Sequence, residues 1–236
     1  MTVATPVGFR RALIVGAGSG LSAALARLLA RHGISVALAA RSIEKLDEIC
    51  AETGARAFAC DASKADQVAD LFAAMDAAIG SPDIVVYNAS GRVRGPIETL
   101  DPAGVAAALN ISAFGGFLVG QQAARRMLPQ HHGAILFTGA SASIKGYPQS
   151  ASFAMGKFAL RGLAQSMARE LAPQGIHVAH IVIDGGIASA ARPVPPDAPD
   201  SLLDPDAIAE AYWQVLEQGR SAWSWEIELR PWVERF

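Results

Sequence analysis

The feature that most constrains this chain is an apolar run that ends in three closely spaced glycines. Residues 12–22 read ALIVGAGSGLS, with Gly16, Gly18 and Gly20 directly after the apolar residues. Leucines at helical spacing follow, so the pattern predicts a strand, a glycine turn and a helix in that order. Glycine lets the backbone come close to an anion, and the free N–H groups at a helix start favour negative charge. We interpret the stretch as a phosphate-binding turn; the alternative is an ordinary tight turn between a strand and a helix.

The rest of the chain alternates between strand and helix patterns. Short apolar runs typical of buried parallel strands cover residues 11–15, 34–40, 55–60, 83–87, 134–138, 176–183 and 226–229. Helical spacing of apolar residues covers 21–32, 43–53, 64–79, 102–128, 148–172 and 204–218. The alternation predicts an α/β fold, a Rossmann-like doubly wound parallel sheet formed by residues 1–236 as a single domain. Ligands of such sheets bind beyond the carboxyl ends of the strands.

Local residues predict where the helices begin and break. Ser42 and Ser63 are expected to cap the second and third helices, and Pro148 suits the first position of the fifth. Gly115 and Gly116 are expected to interrupt the long pattern at 102–128, where they let two helices or a cofactor approach closely.

Composition and charge argue against several classes of protein. The formal net charge is −2 and the basic residues are scattered, which argues against nucleic-acid binding. Residues 1–10 lack the pattern of a signal peptide, and no apolar run is judged long enough to span a membrane. Cys50 and Cys60 are the two cysteines and fit a reducing cytoplasm better than a disulfide framework. The histidines show no metal-ligand spacing, so we expect a cytoplasmic protein with neither a metal site nor a membrane partner.

Several motifs, in the right order, resemble the short-chain dehydrogenase/reductase family over residues 10–229. Residues 16–22 are similar to the family's TGxxxGxG motif, with Val15 for the threonine and Ser22 for the third glycine. Residues 88–91, NASG, are similar to its NNAG turn, with Tyr87 for the first asparagine. The resemblance implies a bound nicotinamide cofactor. The residues that it implies as cofactor ligands are Gly16, Gly18, Ser19, Gly20, Leu21, Asp61, Ala62, Asn88, Ala89, Ser90, Lys157 and Ile187.

The same resemblance implies a catalytic set that departs from the family at one position. Asn110 and Lys157 match family positions, and Ser141 lies near that of the serine, with a spacing one residue short. The family's YxxxK motif reads Phe153-Ala-Met-Gly-Lys157 here. In the family, the tyrosine gives a proton to the carbonyl oxygen as hydride reaches the carbon, and a phenyl ring has no such proton. Loss of a general acid typically lowers a rate by about 10²–10⁴-fold.

Three functions are compatible with this departure. In the first, the chain is an active oxidoreductase with another proton donor, either Tyr147, Ser141, Ser150 or a water held by Asn110 and Lys157. In the second, it binds NADP(H) without turnover and acts through binding or assembly. In the third, it reduces an activated C=C bond. We favour the first, hydride transfer to or from a carbonyl or hydroxyl group of a small-molecule substrate.

The charge after the second strand indicates which cofactor is bound. An acid there would bond the adenosine ribose hydroxyls and repel a 2′-phosphate. Ala40 and Arg41 occupy this place, and Arg41 can pair with a 2′-phosphate, so NADP(H) is predicted over NAD(H). The alternative is a solvated Arg41 or one stacked on adenine. Residues 193–203 are proline-rich and predict a short substrate loop, and the small-residue-rich helices predict a homodimer or homotetramer.

Overall fold

The structure is a computed structural model that describes residues 8–234. Residues 1–7 and 235–236 lie outside the described residues, and with them most of the segment on which the signal-peptide prediction rests. One parallel sheet of seven strands has the order β3-β2-β1-β4-β5-β6-β7, which confirms the predicted Rossmann-like fold. The strands are β1 (Arg11–Val15), β2 (Ser35–Ala40), β3 (Arg56–Ala59), β4 (Ile84–Tyr87), β5 (Gly133–Thr138), β6 (Ile176–Ile183) and β7 (Glu226–Leu229).

Helices cover both faces of the sheet because the strands are apolar on both sides. In β1, Ala12 and Ile14 pack into one core, whereas Leu13 and Val15 pack into the other. The helices are α1 (Leu21–Arg31), α2 (Asp47–Thr53), α3 (Ala65–Ala78), α4 (Pro102–Leu109), α5 (Gly115–Met127), α6 (Ala151–Leu171) and α7 (Pro205–Leu216). The first core includes α1, α2 and α7, and the second includes α3, α5 and α6.

The register of the sheet brings three loops together at its carboxyl edge. Val15, the last residue of β1, pairs with Ala39 of β2 on one side and with Tyr87 of β4 on the other. The chain leaves β1 and β4 toward opposite faces of the sheet, since α1 and α5 belong to different cores. A crevice therefore opens where the strand order reverses, which is the usual ligand site of such folds.

Three predicted helix boundaries are wrong. α6 begins at Ala151 rather than at Pro148, because Gln149 has a φ of +59° that a helix does not accept. Ser42 makes no side-chain cap, and it precedes a 3₁₀ turn, Ile43–Leu46, rather than an α-helix. Ser63 does not cap α3 either, because its hydroxyl donates to Asp61 at 2.7 Å and the cap position falls on Lys64.

The long helical pattern after residue 102 breaks earlier than predicted. A π-helical turn, Asn110–Phe114, separates α4 from α5, and it ends just before the two glycines. The expected close approach of two helices at these glycines is confirmed at Gly116, where a Cβ would stand 2.5 Å from Leu160 of α6.

One helical stretch meets the length and composition of a membrane span, contrary to the prediction that none does. Pro102–Gln130 covers 29 residues with a mean hydropathy of 1.6. Its apolar residues form part of the interior of the α/β fold. Gly115 and Gly120 of this stretch lie against Tyr87 and Phe137, two core residues of the sheet. Packing against the sheet therefore explains part of the apolar composition, since 39% of the apolar window is buried.

Candidate cofactor and active site

The glycine turn after β1 forms a cradle in which the three glycines have different roles. Gly16 has a φ of +86°, and a Cβ there would overlap the backbone of Ala89 in the loop after β4. A Cβ on Gly18 or Gly20 would meet nothing within 4 Å. Gly16 is thus required for the fold of the turn, whereas Gly18 and Gly20 leave open space above the start of α1.

The start of α1 presents backbone donors to this space. The N–H groups of residues 18–22 donate to no acceptor in the described part of the chain, and Gly20, which caps the helix, has no side chain to satisfy them. Ser22, which stands in place of a third glycine, donates from its hydroxyl to the Gly16 carbonyl at 3.3 Å and accepts from the Asn88 amide at 2.8 Å. The serine therefore holds the two loops of the crevice together.

Two neighbouring cavities follow the carboxyl edge of the sheet, and both are lined by Gly16 and Asn88. The smaller, about 270 Å³, lies over the start of α1 and is closed by residues 187–189. The larger, about 500 Å³, extends over the ends of β2 and β3. Every residue predicted from the sequence to bind the cofactor lines one of the two cavities, except Ser19 and Lys157, which line neither. An elongated ligand with phosphates near its middle fits this arrangement.

The far end of the larger cavity carries two cations and one carboxylate. Arg41, Ser42 and Lys45 line it on one side, and Asp61 lines it on the other. Hydrogen bonds from the backbone N–H and the hydroxyl of Ser63 lower the pKa of Asp61, and the charge of Arg41 adds to this effect. Lys45 was missed in the sequence, although it lies four residues after Arg41 and follows the same strand end.

Lys157 is the buried cation of the site. Its side chain is 3% exposed, and its Nζ donates to the Thr138 carbonyl at the end of β5 over 2.7 Å. Burial lowers the pKa of Lys157 to about 8. An ammonium group has three donors and only one is used within the described residues, so Lys157 can bind further acceptors.

Phe153 lies one helical turn before Lys157, between two cations. The Lys157 Nζ is 5.9 Å from the centre of the phenyl ring, and the Cζ of Arg92 is 4.3 Å from it. Arg92 also donates from Nη2 to the Ser150 hydroxyl at 3.2 Å. No pattern in the sequence indicated Arg92, because its contacts are with residues far along the chain.

The other predicted catalytic residues are placed differently. The Ser141 side chain lies near enough to the buried carboxylate of Asp184 to lower its pKa. Burial acts to raise the pKa of Asp184, but the hydrogen bonds from Ser141 and Lys145 and the nearby positive charges lower it overall. Tyr147 is 47% exposed, and its hydroxyl has no hydrogen-bond partner among the described residues. Within the described residues, neither Ser141 nor Tyr147 forms a hydrogen bond with Lys157.

Asn110 opens the π-helical turn and is exposed. The turn is held from two sides, since the Tyr87 hydroxyl donates to the Ile111 carbonyl and the Ser112 hydroxyl bonds both backbone groups of Gly91. π-Helical turns occur frequently at functional sites. The turn lies beside the crevice, because Ile111 lines the larger cavity.

The histidines predicted to be structural take part in packing around β6. His177 stacks on Trp223 with ring centres 4.7 Å apart, and His180 bonds Glu226 at 3.0 Å. Within residues 8–234, no three His, Cys, Asp or Glu side chains cluster as metal ligands would.

Comparison with known proteins agrees with this geometry. The sequence profile of the short-chain dehydrogenase family matches residues 10–193. A short-chain aldehyde dehydrogenase of Euphorbia lathyris is 31% identical over 173 residues, which are 71% of this chain and 60% of the plant protein. An uncharacterized oxidoreductase of Staphylococcus aureus is 27% identical over 98% of this chain and its own full length.

Solved structures show the same fold over nearly the whole chain. A short-chain dehydrogenase from Rhodopseudomonas palustris is 36% identical with a TM-score of 0.81, covering 94% of this chain and 99% of its own. An alcohol dehydrogenase from the archaeon Thermococcus sibiricus, complexed with 5-hydroxy-NADP, is 26% identical with a TM-score of 0.84, covering 97% and 99%. The chain belongs to the short-chain dehydrogenase family, whose members are oxidoreductases that bind nicotinamide cofactors.

Proposed function

We propose that this protein is an NADP(H)-dependent oxidoreductase that interconverts a carbonyl and a hydroxyl group on a small molecule. The observation that supports this most strongly is the open cradle over Gly18 and Gly20, with unpaired N–H groups at the start of α1. A dinucleotide pyrophosphate satisfies such donors, and the helix dipole favours its charge. When bound, the nicotinamide supplies or accepts the hydride.

The chain's own residues would hold the cofactor along the crevice. Backbone groups of residues 16–21 and 88–90 would contact the phosphates and the adjoining ribose, and Lys157 has two donors left for the second ribose. Ile187 lies at the closed end of the smaller cavity, where it would contact the nicotinamide amide. Asp61 and Ala62 line the larger cavity at the place proposed for adenine.

Phe153 is proposed to stand where the family has its catalytic tyrosine, so the proton must come from another group. We favour a water held by Asn110 and Lys157 as the source, because burial lowers the pKa of Lys157 to about 8, which leaves the ammonium able to release a proton near neutral pH. Ser141 interacts with Asp184, and the Ser150 hydroxyl accepts from Arg92. Tyr147 stays a candidate as an exposed phenol.

We expect the wild-type protein to oxidise NADPH in the presence of a carbonyl compound, and the Phe153→Tyr variant to change kcat by less than about tenfold, since proton transfer already has a donor. The measurement is a screen of aldehydes and ketones by NADPH absorbance, with both proteins side by side. Tyr147→Phe is measured in parallel, and a loss of activity there would identify Tyr147 as the donor. If the wild type shows no activity and the Phe153→Tyr variant is active, the wild-type protein is instead a non-catalytic NADP(H)-binding protein.

Cofactor preference depends on the two cations at the end of β2. Replacing Arg41 or Lys45 with Ala removes a charge-assisted bond to a 2′-phosphate, and we expect the Kd for NADPH to rise by about 10–100-fold while that for NADH changes little. Fluorescence titration of both cofactors measures this. Arg10→Ala, at the opposite edge of the sheet, serves as the control. Tighter binding of NADH than of NADPH by the wild type would refute the assignment.

We infer that a second copy of this chain covers an exposed apolar face of α5 and α6, giving a homodimer or, with a further interface, a homotetramer. Large apolar side chains are 41–52% exposed on or beside these neighbouring helices, namely Phe114, Phe117, Met155 and Phe158. Light scattering at micromolar concentration is expected to give two or four times the chain mass of 24.6 kDa. A mass of one chain would rule out the assembly.

The remaining proposals concern the substrate loop and the location of the protein. Residues 193–203 lie between the 187–189 segment of the smaller cavity and α7, and Leu203 pairs with Ile187. This pairing brings the end of the loop to the cavity, which supports its assignment to the substrate site. Cys50 and Cys60 are free thiols, which supports a reducing, cytoplasmic location.

A further inference from the structure

Arg92 is positioned at the proposed reaction site by two contacts. It lies in the loop after β4, its guanidinium lies over the phenyl ring of Phe153 with the Cζ 4.3 Å from the ring centre, and it donates to Ser150 at 3.2 Å. The ring holds the guanidinium from one side through a cation–π contact. Further N–H groups of the guanidinium stay free to bind a ligand, because only the bond to Ser150 is present within the described residues.

Two more arginines, from different parts of the chain, act on the charge of Arg92. Partial burial lowers the pKa of Arg92, and the positive charges of Arg94 and Arg192 lower it further. Arg192 is brought in by a tight turn in which Ser189 and Arg192 exchange backbone hydrogen bonds of 2.9 and 3.0 Å. Its guanidinium lies against Gly186, where a Cβ would stand 2.8 Å from Nη1.

These three arginines have no acidic partner in residues 8–234, whereas two arginines elsewhere in the fold show what such pairing looks like. Arg126 pairs with Asp76 at 2.7 Å and Arg161 pairs with Glu226 at 2.6 Å. Among the described residues, no carboxylate lies within 4.0 Å of Arg92, Arg94 or Arg192. Like charges brought together without a counter-ion repel one another, and an anionic ligand would relieve the repulsion.

The cofactor is not the anion that this cluster fits. The cradle over α1 and the cations at the end of β2 serve the phosphates in the proposed function, and none of the three arginines lines either of those cavities. Phe153, which Arg92 covers, lies one turn from Lys157 on α6, on the side of the proposed reaction.

We propose that Arg92 and Arg192 form a subsite for a carboxylate of the substrate, with Arg94 adding to the local positive charge. The substrate is then an oxo acid, a carbonyl compound that also carries a carboxylate. This proposal rests on the proposed oxidoreductase function. The carbonyl carbon of the oxo acid gains hydride from NADPH and its oxygen gains one proton, giving a hydroxy acid and NADP⁺, while the carboxylate is unchanged.

Matched pairs of compounds test the subsite without depending on turnover. The probes are 2-oxobutanoate, 4-oxopentanoate and 5-oxohexanoate, each against its uncharged methyl ester. Binding is measured by calorimetry on the free protein and on the protein saturated with NADPH, and NADPH binding is titrated separately. The variants are Arg92→Gln, Arg192→Gln and the double variant. Arg10→Gln, an exposed arginine at the amino end of β1, is the control.

We expect at least one acid to bind tighter than its ester by about tenfold or more. Each variant should lower the ratio of the ester Kd to the acid Kd by about tenfold. The Kd for NADPH and the binding of the esters should not change, and Arg10→Gln should behave as the wild type. Equal binding of acids and esters, or a preference that survives in the double variant, overturns the subsite. Failure of NADPH to bind the wild type overturns the proposed function instead, and the acid–ester comparison on the free protein still decides the subsite.

Discussion

The Gly18→Val variant is expected to lose binding of both nicotinamide dinucleotides while its melting temperature stays that of the wild type. A valine side chain at position 18 meets no protein atom near its Cβ, so the fold has no reason to change. The same side chain fills the space over the free N–H groups at the start of α1, where the pyrophosphate is proposed to lie. We expect the Kd for NADPH to rise by more than about 10³-fold, since the central contacts of the ligand are excluded together.

Gly219→Val is the matched control for this experiment. Gly219 also has open space around it, its backbone is extended with a φ of −64°, and it lies far along the chain between α7 and β7. It should keep both its stability and its affinity for NADPH. If Gly18→Val binds NADPH as tightly as the wild type, the pyrophosphate does not lie over Gly18 and the proposed phosphate site is wrong.

The Lys157→Met variant is expected to lower kcat by about 10²–10⁴-fold, because it removes the charge that supports proton transfer. It should also weaken NADPH binding, because the proposed ribose ligand is gone. Stability should change little. Methionine is about as long as lysine, and removal of a buried charge offsets the lost bond to the Thr138 carbonyl. Steady-state kinetics and thermal unfolding measure the two effects separately.

The pH dependence gives a second test of the role of Lys157. Its pKa is lowered to about 8, so the ammonium that holds the proton is populated below that pH and lost above it. In the direction of carbonyl reduction, kcat of the wild type should therefore fall about tenfold per pH unit above pH 8. The Lys157→Met variant should lack this fall in kcat above pH 8. The Lys64→Met variant, which replaces an exposed lysine, should keep it. A flat wild-type profile between pH 7 and 10 would exclude Lys157 as the proton source.

The strands and their parallel, doubly wound arrangement could be predicted from the sequence because the signals for them are local. β6 was predicted at 176–183 and is found as Ile176–Ile183, since an apolar run buried on both faces directly follows Gly175. The cavities also contain most of the predicted cofactor ligands, because the carboxyl ends of neighbouring parallel strands must lie side by side. Their roles stay predictions until a cofactor is bound.

The parts that could not be predicted depend on contacts between distant residues. The partner of Ser141 is Asp184, which follows a different strand. The place of the helix break is set by Tyr87 and Ser112, which hold the π-helical turn, rather than by the glycines that follow it. Arg92 carries no motif, and only the fold brings it to Phe153.

Thr138 links the two faces of the sheet at the proposed reaction site. Its carbonyl accepts from Lys157 on α6, and its hydroxyl lies 2.8 Å from that of Tyr212 on α7, which packs on the other face. Tyr212, on the face of the sheet opposite α6, thus anchors the end of β5, and this strand end positions the Lys157 ammonium. Replacing α7 with the corresponding helix of a related protein would therefore disturb catalysis, unless the new helix also placed a tyrosine hydroxyl against Thr138.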